Sequence, residues 1–211
     1  ILTDIVHFDP SDDGYDRLLC FVDSVSRWPE AKAFKAALSS ADFIDAFLEQ
    51  VVLREGVPAA LVSDRGPELV SEETRSFLER LGCKSISGAA HLHHAAALVE
   101  RLQQTITSML RTNDPGGRQW PRYVPFILFV LRSAQSGSAE LTPAFITRGR
   151  DFRLPGTLAE APASSPEPGS REALVRLRAI WDLASANSAY AQWDDKSRRD
   201  KRTRSEEHTS E

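Results

Sequence analysis

The sequence predicts an α/β domain in which helices flank a central sheet. Three observations support this prediction. Short apolar segments rich in strand-forming residues come first, strand and helix patterns then alternate, and turn residues separate these segments. The 211 residues are 41% hydrophobic and 27% charged, as is usual for a globular protein. This length predicts one domain of roughly 150 residues with an appendage.

Three strands are predicted at the start of the chain. Residues 2–8 and 17–25 are the first two, and the second contains the apolar run LLCFV. Gly14 and Tyr15 indicate the turn between them. Residues 31–34 are predicted as a short third strand. The first part of the sheet is therefore expected before any helix.

A helix is predicted next, with Ser39 or Ser40 as its N-cap and Gly56 after its end. Its apolar residues recur every four positions: Phe43, Phe47 and Val51. Residues 59–62 then predict a buried strand. Ser71 is expected to begin a second helix, because the acidic residues after it favour a helix N-terminus. Gly82 ends this helix, and residues 84–87 are predicted as one more strand.

A long helix is predicted over residues 95–111. Its apolar stripe consists of Leu98, Leu102, Ile106 and Met109. A separate polar stripe consists of Glu100, Gln103, Gln104, Thr107 and Arg111. Residues 120–133 predict a further apolar helix. The core is therefore expected to span residues 1–155.

Three further segments are predicted after this core. Residues 156–170 are rich in Pro, Ala, Ser and Gly and predict a linker. Residues 171–203 predict an amphipathic helix, and its basic end, from Lys196 to Arg202, is expected to contact DNA phosphates or to be simply solvated. Residues 204–211 read RSEEHTSE, which matches the translation of a common sequencing-library adapter. This octapeptide is therefore expected to be an artefact that adds to the net charge of −4.

Composition also predicts the setting of the protein. Cys20 and Cys83 lie in hydrophobic segments without a CxxC partner, so they are predicted to be buried reduced thiols. No segment reaches the roughly 18 apolar residues of a membrane span, and no signal-peptide pattern is present. An intracellular protein without a membrane partner is expected. Because Ile1 already lies in an apolar run, the chain is expected to be a fragment of a longer polypeptide.

Three acids at the predicted element ends are candidates for chemistry. Asp4 lies in the first strand, Asp64 directly follows a strand, and Glu100 is on the polar side of the long helix. Two carboxylates about 4 Å apart repel by ~4 kcal/mol at an effective dielectric of ~20, so a cluster must protonate or bind cations. Oxygen-only ligands suit Mg²⁺ or Mn²⁺, and a pair of such ions serves phosphoryl displacement. The alternative is turn chemistry at Asp64 and a solvated Glu100.

The segments around these acids carry a family resemblance. They are FVDSVSRWPEA at 21–31, GVP at 56–58, SDRG at 63–66, LVER at 98–101, TPAF at 142–145 and RLPG at 153–156. Together they resemble the catalytic core of integrases from LTR retrotransposons, especially the gypsy type, and from retroviruses. The 35 residues between Asp64 and Glu100 match the spacing typical of that family.

The resemblance implies a ribonuclease H-like fold, with a five-stranded mixed sheet flanked by helices and a C-terminal helical extension. It implies that Asp4, Asp64 and Glu100 bind two Mg²⁺ or Mn²⁺ ions and catalyse DNA end processing and strand transfer. Element and target DNA are the implied partners of a nuclear homo-oligomer, within a longer polyprotein. The residues expected to bind DNA are Arg65, Arg101, Gln103, Gln104, Arg111, Lys196, Arg198 and Arg199.

The sequence departs from the family at three places. His7 and Phe8 replace the usual Gly-Pro, and Gln104 and Thr107 replace two usually basic residues. In a predicted loop before Glu100, the family's His-Pro-Gln…Asn-Gly pattern is replaced by Leu92, His93, His94, Ala96 and Ala97. These departures favour an alternative, a catalytically degenerate or domesticated module that only binds DNA or protein. A transposase or nuclease with the same acids is a third alternative, and the loop histidines 91, 93 and 94 offer a less favoured zinc site.

Overall fold

A five-stranded mixed sheet lies in the first of two units into which the chain divides, residues 1–132 and 133–211. The computed structural model describes residues 1–63, 66–87, 89–135 and 141–153, without the side chains of residues 68 and 89–96. The strands are β1 (Leu2–His7), β2 (Arg17–Val22), β3 (Pro29–Phe34), β4 (Ala60–Ser63) and β5 (Lys84–Ser87). Their order is β3-β2-β1-β4-β5, with β1, β4 and β5 parallel and β2 antiparallel to both of its neighbours. The predicted five-stranded mixed sheet is confirmed.

The first helical segment is interrupted by a π-helical turn. Helix α1 (Ser40–Phe47) continues through the π-helical residues Leu48–Val52 into α2 (Leu53–Glu55). Ser39 caps it as predicted: its Oγ accepts from the Asp42 amide at 3.1 Å, and the Asp42 carboxylate accepts from the Ser39 amide at 2.9 Å. The π-helical turn was not predicted, because the spacing of the apolar residues is compatible with an ordinary helix.

The remaining helices are α3 (Pro67–Val70), α4 (Glu72–Arg80), α5 (Ala89–Asn113), α6 (Trp120–Ser133) and, in the second unit, α7 (Pro143–Arg148). The prediction of α6 is confirmed at both ends, and Ser71 caps α4 as expected, since its Oγ accepts from the Thr74 amide at 3.1 Å. The short helix α3 was not predicted.

Two predicted boundaries were wrong by three or more residues. Strand β2 ends at Val22 rather than at residue 25, because the Asp23 carboxylate accepts hydrogen bonds from the amides of Val25 and Ser26 and thereby forms a turn. Helix α5 begins at Ala89 rather than at residue 95, so histidines 91, 93 and 94 belong to a helix instead of the predicted loop. The many alanines of this segment have the highest helix propensity, and neither Pro nor Gly interrupts it.

Helices cover both faces of the sheet. The side chains of β2 alternate between the two faces, and they pack in two different clusters. Leu19 and Phe21 lie in one cluster, whose helical members come from α1, the π-helical turn, α3 and α4. Leu18 and Cys20 lie in the other, with buried residues of α5 and α6. The predicted arrangement of helices against a central sheet is therefore confirmed, with a layer on each face.

A buried acid joins the edge of the sheet to two helices. Glu30 in β3 accepts from Trp28 Nε1 at 3.0 Å, from Arg132 Nη2 at 2.7 Å and from Arg54 Nη1 at 3.3 Å. Arg132 also donates to the Pro29 carbonyl and lies over the Trp28 ring, 4.6 Å from its centre. Three donors thus compensate the cost of burying the carboxylate.

The two cysteines lie in the core of the protein. Cys20 and Cys83 are free and buried, as predicted. Burial, with a contribution from the charge of Asp4, raises the pKa of Cys20 to about 12. Within the described ranges, we find no helix that is both long and apolar enough to cross a membrane.

We expect Glu30→Gln to lower the free energy of unfolding by about 3 kcal/mol, because it leaves the partly buried Arg132 without its counter-charge. Glu49→Gln is a matched control, since Glu49 pairs with Lys32 at 2.6 Å but has a 55% exposed side chain, against 5% for Glu30. The control is expected to cost less than about 1 kcal/mol. Urea unfolding measures both, and equal losses would contradict a role for burial.

We expect neither cysteine of the folded protein to react appreciably with iodoacetamide at pH 8. The reagent requires an accessible thiolate, whereas both thiols are buried and burial raises the pKa of both. Mass spectrometry should show two modified cysteines only after denaturation. Rapid alkylation of Cys20 in the native state would contradict its place in the core.

Candidate active site

Asp4 lies in the middle of the sheet and faces α5. It is in β1, opposite Cys20 of β2. Leu2, Asp4 and Val6 share one face of this strand, and Leu2 and Val6 pack in clusters that contain residues of α5. The carboxylate of Asp4 is partly buried and accepts from the Ile5 amide at 2.8 Å and from Gln103 Nε2 at 2.9 Å. Two neutral donors thus fix its orientation.

Glu100 lies on the exposed polar side of α5, next to the buried apolar side that contacts the sheet. Its neighbour Val99 is buried with Leu2 and Val22. Glu100 itself is exposed, and its Oε1 accepts from Gln104 Nε2, one turn further along, at 3.2 Å. The predicted apolar stripe of α5 is confirmed: Ile106 is buried, and the others are partly buried against the core, namely Leu98, Leu102 and Met109. Val99 and Leu110 are also buried. The orientation of the helix therefore directs Glu100 to solvent.

An open groove of about 600 Å³ runs along α5 from Glu100. It is lined by Val6, Glu100, Gln103, Gln104, Thr107, Ser108, Arg111 and Thr112. Gln103 connects the two acids, because it lines the groove with Glu100 and donates to Asp4. All five residues of the predicted polar stripe line this groove. Ser108 and Thr112 were missed, although they continue the four-residue spacing that begins with Glu100 and Gln104 and indicates one helix face.

The third predicted acid, Asp64, lies outside the described residues, as do Arg65, Lys196, Arg198 and Arg199. Strand β4 ends at Ser63, whose partner across the ladder is Thr3, the residue before Asp4. Within residues 1–63, 66–87, 89–135 and 141–153, no three His, Cys, Asp or Glu side chains are grouped so that they could hold a metal ion. The structure thus links Asp4 to α5 through Gln103, three residues after Glu100 in the same helix, while the grouping of Asp4, Asp64 and Glu100 stays a prediction.

The two described acids have the donor atoms that suit a hard divalent cation. Asp4 and Glu100 offer carboxylate oxygens, and oxygen ligands are those that Mg²⁺ and Mn²⁺ prefer. The hydrogen bonds that Asp4 and Glu100 accept from Gln103 and Gln104 come from neutral amides, so these bonds do not cancel the negative charges.

Residues 1–91 match a family model that is described as the integrase core domain. Over 149 residues, 69% of its length, the chain is 31% identical to the Gag-Pol polyprotein of feline leukemia virus and 33% identical to the Pol polyprotein of radiation murine leukemia virus (strain Kaplan). The match covers 8% of the first polyprotein and 25% of the second. The chain therefore spans a small part of these relatives.

Two solved structures have a similar fold. The catalytic core domain of BIV integrase gives a TM-score of 0.58 at 18% identity, over 69% of this chain and 91% of that chain. The simian T-cell lymphotropic virus intasome in complex with PP2A regulatory subunit B56 gamma gives a TM-score of 0.60 at 20% identity, over 79% of this chain and 59% of that chain. At this identity the likeness concerns the fold alone, and it agrees with the expected ribonuclease H-like arrangement.

Proposed function

We propose that this chain is an integrase core, which processes the ends of an element's DNA and transfers them into target DNA; the support is the match of residues 1–91 to the integrase core domain and the similarity to retroviral polyproteins. The observation that carries the proposal is the link between Asp4, Gln103 and Glu100 at the start of a polar groove. The gypsy-type origin suggested by the sequence segments is part of the proposal.

Asp4, Asp64 and Glu100 are proposed to hold two Mg²⁺ or Mn²⁺ ions. Support for Asp64 comes from the sheet, because β4 ends at Ser63 beside the residue that precedes Asp4. When bound, such a pair of ions activates the attacking hydroxyl or water and stabilises the leaving oxygen. Gln103 and the Ile5 amide each hold one oxygen of Asp4, and Gln104 holds one oxygen of Glu100. These bonds fix the carboxylates before a cation arrives.

The groove along α5 is proposed to receive a DNA strand. Amides and hydroxyls, like arginines, donate hydrogen bonds to phosphate oxygens. Their contribution to DNA binding depends less on salt concentration, because they carry no charge. Gln103, Gln104 and Arg111 line the groove, and Arg101 is exposed on the same helix. The remaining proposed DNA contacts lie outside the described residues: Arg65, Lys196, Arg198 and Arg199.

The full-length protein is proposed to act on element and target DNA as a homo-oligomer in the nucleus. The support is the match to the integrase core domain and the likeness to a chain of an intasome. This chain covers only part of its viral relatives, so segments from outside it are expected to contribute to the complete reaction.

A catalytically silent DNA- or protein-binding module is the second candidate. One observation favours it: α5 already begins at Ala89, where the family's loop pattern is expected. Ala97 stands at the position of a glycine in that pattern, and alanine lacks the conformational freedom of glycine. A helix in place of a loop restricts how the segment before Glu100 can adapt to DNA.

An assay of the reverse reaction, the resolution of a branched DNA intermediate with Mn²⁺, separates the two candidates. We expect metal-dependent cleavage that Asp64→Asn reduces at least about 100-fold, because the amide cannot replace an anionic ligand. Asp45→Asn is the matched control, since Asp45 is an exposed acid on α1, on the other face of the sheet. Equal activity of the wild-type and Asp64→Asn proteins would remove Asp64 from the mechanism, and no activity in either would favour the silent module.

Gln103 is expected to act as a positioning residue. Gln103→Ala removes the donor to Asp4, so the Mn²⁺ concentration for half-maximal cleavage should rise about tenfold, as for other partners of metal ligands. The melting temperature should change little, because Gln103 lines an open groove. Gln103→Asn keeps an amide donor, so its Mn²⁺ concentration for half-maximal cleavage should rise less than that of Gln103→Ala. An unchanged Mn²⁺ titration would show that the hydrogen bond does not serve metal binding.

A further inference from the structure

The turn between β2 and β3 holds an arginine in an unusual backbone conformation. Arg27 has a φ of 62°, the only positive value at a residue other than glycine within the described part of the chain. Asp23 fixes this turn, because its Oδ2 accepts from the amides of Val25 and Ser26 and from Ser26 Oγ at 2.7–3.1 Å. The left-handed conformation costs a non-glycine residue about 1 kcal/mol. Arginine occupies this position despite that cost.

The Arg27 side chain lacks a partner for one of its donors. Its Nη1 atom is buried and has no hydrogen-bond partner in the described structure. Burial lowers the pKa of Arg27, whereas the charge of Asp23 raises it. The charge of Asp23 acts on this cation, but the Asp23 carboxylate accepts no hydrogen bond from Arg27 Nη1. An unpaired buried donor of a charged group is costly, so an anion would be stabilising here.

A second arginine lies close to Arg27 and next to Glu100. Val22, the last residue of β2, packs with Leu2 and Val99, so the β2–β3 turn begins beside this part of α5. Arg101 follows Val99 by two residues and is exposed. The charge of Arg101 contributes to the lowered pKa of Arg27, which shows that the two guanidinium groups repel each other. An anion bound beside these two cations would be attracted by both.

We propose that Arg27 and Arg101 together bind one phosphodiester group of the DNA strand that enters the site at Glu100. This inference rests on the proposed function, and it adds Arg27, a residue that neither the acid spacing nor the groove indicates. Guanidinium groups present planar pairs of donors that match phosphate oxygens. The negative charge of a bound phosphate would attract both cations and offset the repulsion between them.

The experiment measures DNA binding by fluorescence anisotropy in EDTA, over a range of salt concentrations. Arg27→Gly should keep the turn, because glycine adopts positive φ easily. It should weaken duplex binding by roughly tenfold, and the slope of log K against log salt should decrease by about 0.9, the value for one lost phosphate contact. Arg101→Gln should change the slope similarly. Arg75→Gln is the matched control, since Arg75 is an exposed arginine of α4, and no change of slope is expected.

Other outcomes would overturn the inference. If the wild-type protein binds DNA and resolves the branched intermediate, but Arg27→Gly has unchanged affinity and slope, then this phosphate site is wrong and the proposed function stands. If the wild-type protein does not bind DNA, both fail. Should Arg27→Gly not fold, Arg101→Gln decides by the same slope. A last outcome is that inorganic phosphate raises the melting temperature of the wild-type protein but not of Arg27→Gly, while both proteins bind DNA equally. This outcome would identify a site for free anions instead.

Discussion

The packing of Val99 against Leu2 and Val22 is the contact on which the candidate site depends. It fixes α5 on the central strands, so that Gln103 reaches Asp4 while Glu100 is exposed in the groove that Gln103 also lines. Full burial of each such side chain contributes about 1.5–3 kcal/mol. A few apolar contacts therefore decide the relative position of two acids that are almost a hundred residues apart in the sequence.

Most of the fold could be predicted because local signals agree with tertiary packing. The apolar run of β2, the capping serines 39 and 71 and the periodicity of α6 all indicated the correct elements. The signals failed where a side chain changes the backbone locally. Asp23 ends β2 early by accepting amide hydrogen bonds, and the alanine-rich segment before residue 95 continues α5 in place of a loop.

The candidate site was predictable in its residue types but not in its connections. The family resemblance suggested Asp4, the spacing from Asp64 suggested Glu100, and helical periodicity indicated the polar residues that line the groove. The contact from Gln103 to Asp4 and the buried donor of Arg27 depend on how α5 lies across β1 and β2. No local pattern carries that information. The buried Glu30 shows the same limit, since its partners come from three separate segments.

The unbroken course of α5 has a geometric consequence. Glu100 and Thr112 stand at the two ends of the groove on one rigid rod, and a helix rises about 1.5 Å per residue, so they are separated by about 18 Å along its axis. Successive phosphates of one strand of a duplex are about 3.4 Å apart along its axis. In the proposed DNA complex, the groove would thus span roughly five nucleotides of one strand, starting at Glu100.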